Sequence, residues 1–149
     1  MRGMFIAVFL DTGFYLGLCH PKDKHANESG EIFKKLAEGT YGLLYTSNLI
    51  INEAVTIIVM RTNSHPKALN LFEKYVWNNN RIASILYITS ELENKTWDLF
   101  KKINTIDLKY KKPMSFVDIS CIILCKQHQI ENIVSFDPHF DRFLNRIYD

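Results

Sequence analysis

The chain has 149 residues, 47% of them hydrophobic and 23% charged, with a formal net charge of +2. That length suits one domain, spanning 1–149, and that balance excludes a disordered chain. The weak positive charge permits a nucleic-acid partner without indicating one, because local patches matter more than the sum.

Strand-length apolar runs alternate with helix-length amphipathic segments. Phe5–Leu10 predicts a strand that stops on Asp11, and a short helix or turn follows. The segment from Lys24 to Glu38 predicts a helix, with Ile32, Phe33, Leu36 and Ala37 at helical spacing and Gly39 as its stop. Gly42–Tyr45 predicts a second strand, and Ser47 offers a cap to a helix carrying Leu49, Ile50, Glu53, Ala54 and Ile57. Ser64 with Pro66 opens another helix through Trp77, ended by the asparagines at 78–80. Ser84–Ile88 predicts a third strand, and Ser90 with Glu93 a capping box for the next helix. A polar loop, Asp107–Pro113, leads to a helix from Ser115 to His128. Asn132–Phe136 is a fourth predicted strand, followed by a short helix over Pro138–Leu144. Such alternation implies an α/β fold, a parallel sheet with helices on both faces.

Cys19, Cys121 and Cys125 are an odd number without framework spacing, which fits a reducing compartment. Cys121 and Cys125 share a helix face with apolar neighbours and read as buried thiols, since no Cys/His pair elsewhere completes a zinc set. No stretch approaches the ~18 apolar residues of a membrane span, and the N-terminal run ends on an acid, not at a cleavage site. The expectation is a soluble, cytoplasmic protein with no membrane partner.

The acids carry the chemistry. In open parallel sheets a ligand binds beyond the carboxyl ends of the strands, and Asp11 and Asp137 each follow a predicted strand. Asp118 and Glu53 interrupt otherwise apolar helix patterns. Each acid also has a structural role open to it. Asp11 can cap a helix, and Ser115 with Asp118 has the form of a capping box. Asp137 before Pro138 suits a cap with proline at the first helical position. Glu53 needs a cation or a proton if buried, and Arg61 is too far along its helix to serve locally. Asp141 is a second ligand or a solvated surface acid, and His139 reads as packed or solvated. Four carboxylates gathered at strand ends would repel one another unless a cation neutralised them or their pKa values rose. Oxygen ligands of this kind select Mg²⁺ or Mn²⁺, which can activate water and polarise a phosphate. The triplet Asp11-Thr12-Gly13 also spells the aspartic protease signature, but that chemistry needs an all-β chain.

Four stretches, FLDTGFYLGL, YTSNLIINEAV, MSFVDISCIIL and IVSFDPHFDRF, resemble in order the four acidic motifs of PIN-domain nucleases, especially VapC-like ribonucleases of toxin–antitoxin pairs. The resemblance spans nearly the whole chain. It implies a three-layer α/β/α sandwich around a parallel sheet of about five strands. It implies that Asp11, Glu53, Asp118 and Asp137 are the catalytic and metal-binding quartet, with Asp141 less securely placed. Glu53 would bind a second metal or orient the attacking water. Ser115, Thr12 and Ser135 match supporting polar positions, while Gly13 stands where Ser or Asn is common. RNA would be the substrate, an antitoxin a partner, and a homodimer the assembly. Lys109, Tyr110, Lys111 and Lys112, or Arg61, Lys67 and neighbouring His65, would contact its backbone. Outside the toxin reading stand a PIN-fold RNA-processing nuclease without an antitoxin and a non-catalytic module binding RNA or protein. A phosphotransfer domain with Asp11 as acceptor lacks its expected companion acid and lysine.

Overall fold

A computed structural model describes residues 6–105 and 112–149. The elements are β1 (Ala7–Leu10), α1 (Thr12–Cys19), α2 (Ala26–Ala37), β2 (Leu43–Ser47), α3 (Asn48–Thr62), α4 (Pro66–Val76), β3 (Ser84–Leu86), α5 (Ser90–Thr105), α6 (Phe116–Gln127), β4 (Asn132–Val134), a 3-10 turn (Pro138–Arg142) and β5 (Asn145–Ile147). The five strands form one parallel sheet in the order β3-β2-β1-β4-β5. Helix α1 packs on α2, α3 and α4, while α5 packs on α6, giving the three-layer α/β/α arrangement. No helix among the described residues is long and apolar enough to cross a membrane.

The central strand explains the opening apolar run. Strand β1 lies between β2 and β4, and Val8, Phe9 and Leu10 are completely buried. A strand covered on both faces shows a continuous apolar run rather than alternation. The chain leaves β1 towards one side of the sheet and returns to the other through β4. The crevice beyond the carboxyl ends of β1 and β4 is therefore a topological switch point, where ligands bind in such sheets.

One strand goes beyond the predicted set, and the short helix or turn expected after Asp11 is a full helix of eight residues. Helix α1 buries Thr12, Phe14, Tyr15, Leu16, Gly17 and Cys19, so it has no polar face to reveal its period. Strand β5 has only three residues and pairs with β4 alone. Phe5, the expected start of the first strand, lies outside the described residues.

The caps are partly as expected. Ser47 Oγ accepts a hydrogen bond from the Ile50 backbone N–H at 3.2 Å, and Ser115 Oγ accepts from that of Asp118 at 3.1 Å. Helix α5 is capped by Thr89 instead of Ser90: Thr89 Oγ1 accepts from the Leu92 N–H at 3.3 Å. Helix α4 is capped by His65, whose Nδ1 accepts from the Lys67 N–H at 3.2 Å. Ser64 cannot cap it, because Asn63 and Ser64 both adopt left-handed backbone at the end of α3. All three cysteines are buried and free, as their spacing suggests.

Helices α1 and α2 touch at Gly17. A Cβ there would overlap Ser29 Oγ and lie 2.6 Å from Ser29 Cβ and 2.8 Å from the His25 carbonyl oxygen. Turning the hydroxyl away cannot relieve the last two contacts. Gly17→Ala gains about 1 kcal/mol of helix propensity but overpacks a site that costs about 1–3 kcal/mol to crowd. Urea melts should show the variant less stable than wild type. Equal or greater stability would mean that the two helices separate at little cost.

Candidate metal centre

The site grows from the end of β1. The Asp11 backbone N–H still reaches the Val134 carbonyl at 3.0 Å, so the sheet holds this residue in place one step beyond its strand. Asp11 is 7% exposed and occupies the N-cap position of α1, yet its side chain makes no capping hydrogen bond. Its Oδ2 instead accepts from Ser135 Oγ at 2.7 Å. Ser135, fully buried just past β4, also accepts the Asp137 backbone N–H at 3.1 Å. One hydroxyl thus ties together the acids at the ends of two adjacent strands.

Glu53 arrives from the second turn of α3, half-buried, and its Oε2 accepts from Thr12 Oγ1 at 2.5 Å. Arg61 does not neutralise it. Arg61 pairs with Asp23 at 3.3 Å, at the other end of α3.

Asp118 and Asp137 face each other across His139. His139 Nε2 lies 3.0 Å from Asp118 Oδ2, and Nδ1 lies 3.1 Å from Asp137 Oδ1. Both ring nitrogens are buried and lack hydrogen-bond alignment with these oxygens. The ring is 13% exposed and stands edge-on to Phe140. Asp137 Oδ1 also caps the 3-10 turn by accepting the His139 backbone N–H at 3.2 Å. That turn, begun by Pro138, folds the imidazole back over the acid two residues earlier. Ligand atoms of Asp118, Asp137 and His139 all lie within 4.8 Å of one another.

Electrostatics join the two halves. Burial pushes the Asp11 pKa from 3.8 up to about 7; the negative charges of Asp118 and Glu53 add to this, against the hydrogen bond from Ser135. Burial alone would lower the His139 pKa, but Asp118, Asp137 and Asp11 outweigh it and hold it above that of an ordinary histidine. Asp11 stands before α1, and Asp118 in the first turn of α6, where helix dipoles favour negative charge. A divalent cation fits this arrangement. It would lower the cost of a buried Asp11 charge and offset the mutual repulsion of the acids, and the oxygen-rich donor set suits a hard ion.

Other candidate positions fall elsewhere. Asp141 is engaged by Arg146 through two contacts, 2.9 and 3.3 Å, and stands outside the Asp118–Asp137–His139 group. Arg146 also donates to the Ser135 carbonyl at 3.3 Å, so it anchors the segment that carries Ser135 and Asp137. Gly13 leaves room for Phe136, whose Cδ2 would sit 3.2 Å from a Cβ and whose ring stacks on His25. Arg61, His65 and Lys67 line a pocket of about 370 Å³ with Cys19, His20 and Lys22. Arg61 is eight residues past Glu53, about 12 Å along the helix. Lys112 is exposed; Lys109, Tyr110 and Lys111 lie outside the described residues. A cleft of about 1140 Å³ between α5, α6 and β5 is not lined by any of the four clustered acids.

His139 and Arg146 are the two residues that sequence reasoning misses. The one available signal for His139 is its place in Asp-Pro-His, where a capped turn returns the third side chain towards the first.

No family model matches the chain. It is 26% identical over 135 residues to a VapC ribonuclease of Archaeoglobus fulgidus, a match covering 91% of this chain and 80% of that protein. In sequence and in fold, the chain resembles the VapC-like PIN-domain nucleases. The structure of Mycobacterium tuberculosis VapC20, a Sarcin-Ricin loop cleaving toxin, aligns with a TM-score of 0.72 at 21% identity, over 91% of this chain and 93% of that one. VapBC2 from Rickettsia felis, bound to a DNA fragment from its promoter, aligns with a TM-score of 0.68 at 11% identity, over 95% and 98% of the two chains. FitAB bound to a DNA fragment aligns at 0.62 and 15% identity, over 94% and 93%.

The acid cluster of this PIN-like fold gives a signed pH dependence. Between pH 3.8 and about 7, Asp11 is ionised in the unfolded chain and protonated in the metal-free folded one. The folded state then binds more protons, so stability falls as pH rises. The contribution is complete below the unfolded pKa and is lost as pH passes about 7, an effect on the order of 4 kcal/mol. The raised His139 pKa acts with the same sign. Thermal melts in EDTA should therefore decline towards alkaline pH, and Asp11→Asn should flatten that decline. Identical slopes in the two proteins would show that Asp11 is not the strained acid.

Proposed function

We propose that this chain is a metal-dependent endoribonuclease, a VapC-like toxin that hydrolyses RNA phosphodiester bonds and is restrained by an antitoxin protein. The observation that supports this most is the gathering of acids at the strand-end crevice: Ser135 ties Asp11 to the Asp137 segment, Thr12 next to Asp11 holds Glu53, and burial, with the charges of Asp118 and Glu53, raises the Asp11 pKa. The match to a VapC ribonuclease over 91% of the chain adds to it. In this reading Asp11, Asp118 and Asp137 hold Mg²⁺ or Mn²⁺. When bound, the ion polarises a phosphate oxygen and lowers the pKa of a coordinated water.

The chain's own residues do the rest. Glu53, steadied by Thr12, orients the attacking water. Ser135 fixes the rotamer of Asp11, and Ser115 caps the first turn of α6 through the Asp118 N–H, leaving the Asp118 carboxylate to the cluster. His139 is a positioning residue that sets the spacing of Asp118 and Asp137. The protein would act in the cytoplasm, where its RNA substrates are. A homodimer would use the outer face of α3, where Met60 is 75% exposed.

Asp11→Asn and Asp118→Asn should reduce Mg²⁺- or Mn²⁺-dependent cleavage of mixed transfer RNA to background while the metal-free proteins stay folded. Glu53→Gln should lose roughly a hundred-fold or more in rate. His139→Ala should weaken metal binding by about 10–100-fold in calorimetry, as loss of an orienting partner does. Ser115→Ala should lose about 1 kcal/mol of stability with much of its specific activity retained. Undiminished cleavage by both aspartate variants would overturn the assignment.

A further inference from the structure

The outer face of α5 carries an aromatic ladder that leads away from the acids. Trp97 is 52% exposed and stacks on Phe100, with ring centroids 5.7 Å apart and 20° between planes. Phe100 meets Phe116 at 6.0 Å. Phe116 is the first residue of α6, two before Asp118. The direction of the ladder is set by Asn104, whose side chain bonds both the N–H and the carbonyl of Met114, each at 3.0 Å. The C-terminal end of α5 therefore lies beside the start of α6, and Trp97 sits one turn further out. Its indole is supported by Phe100 and about half of the residue is open to solvent.

We propose that Trp97 is a stacking platform for an unpaired RNA base on the strand that enters the acid cluster, an inference that rests on the nuclease reading. Single-strand sites combine an aromatic platform with flanking cations. Lys101 follows Trp97 by four residues, on the same helix face and on the cluster side. Lys112 lies in the segment leading into α6. Both lysines are exposed, and neither has an acidic partner among the described residues. Glu93, one turn in the other direction, bounds the platform on its outer side. A contact with a second copy of the chain fits less well. Charged residues are depleted at the centre of protein interfaces, whereas Glu93 and Lys101 flank this ring one turn to either side. Trp77 and Tyr87 are equally exposed, but no ring stack among the described residues supports either one or links it to the acids.

The test uses the full chain with Asp11→Asn, so that RNA is bound without being cut. Affinities are measured for a short unpaired RNA and for a fully paired duplex of the same length. Trp97→Ala should weaken binding of the unpaired RNA roughly five- to hundred-fold and leave duplex binding unchanged. Trp97→Phe should retain most of the affinity. With Trp77→Phe, the remaining Trp97 fluorescence should be quenched by the unpaired RNA. Unchanged affinity in Trp97→Ala, or an equal loss for both RNAs, would overturn the platform. So would conversion of an RNA-free dimer to monomer in sedimentation of Trp97→Ala, which assigns the ring to a copy–copy contact. Cleavage by the protein with native Asp11 is followed in parallel: absence of both cleavage and RNA binding removes the nuclease reading, whereas cleavage with an inert Trp97 removes the platform alone.

Discussion

A carboxylate held at the end of the most buried strand is the constraint from which the rest of this structure follows. Asp11 cannot move away from the crevice, because its own N–H is still part of the ladder with β4. It cannot be well solvated, because α1 begins at the next residue and is buried almost all round. A charge in that position is stabilised by fixed dipoles or by a cation. The chain supplies the dipoles in part, through Ser135 and the amino end of α1. They do not offset burial and the nearby charges of Asp118 and Glu53, which together push the Asp11 pKa up to about 7. The fold thus leaves a buried acid whose charge a bound cation would stabilise.

Topology is the means by which four distant acids come to share that place. Strand β1 is central, and its two neighbours are reached by connections on opposite sides. Glu53 therefore comes up on α3, which follows β2, while Asp118 and Asp137 flank β4. Local chemistry then sets each side chain. The two hydroxyls, Thr12 and Ser135, each donate to a carboxylate: Thr12 to Glu53 and Ser135 to Asp11. The imidazole of His139 keeps Asp118 and Asp137 apart at ion-pair distance. Arg146 holds Asp141 and the Ser135 carbonyl, securing the loop without adding positive charge at the acids themselves.

Much of this was legible because it depends on neighbours in the chain. The buried strands show as unbroken apolar runs, and the acids stand out at their ends. Ser47 and Ser115 cap where short-range rules put them. Helix α1 was legible only as a short helix or turn after Asp11, since burial on nearly every side erases the amphipathic period. Strand β5 is defined by pairing with β4 and has no signature of its own. The ambiguity of Asp118 was physical. Its backbone N–H satisfies the Ser115 cap while its carboxylate faces His139, so one residue serves the helix end and the cluster together. A sequence pattern for capping cannot exclude a site when different atoms of the residue do the two jobs. His139 was undervalued for a related reason: its partners are set by a 3-10 turn whose geometry appears only once Asp137 caps it.

The division between a rigid acid cluster and a more exposed recognition surface follows from the same economy of burial. The acids must be held to within fractions of an ångström, and they stand on strand ends and first helical turns, the parts of the fold with the least freedom. Recognition of a flexible polymer needs the opposite: rings and cations that remain open to solvent. In the proposed reading helix α5 would provide that surface, since its inner face is committed to α6 and Trp97 stands exposed on its outer face. Because α6 carries both Phe116 and Asp118, any displacement of the α5–α6 pair would move the aromatic ladder and an acid of the cluster together. If the proposed platform and the proposed metal centre both hold, the first turn of α6 is the element they share.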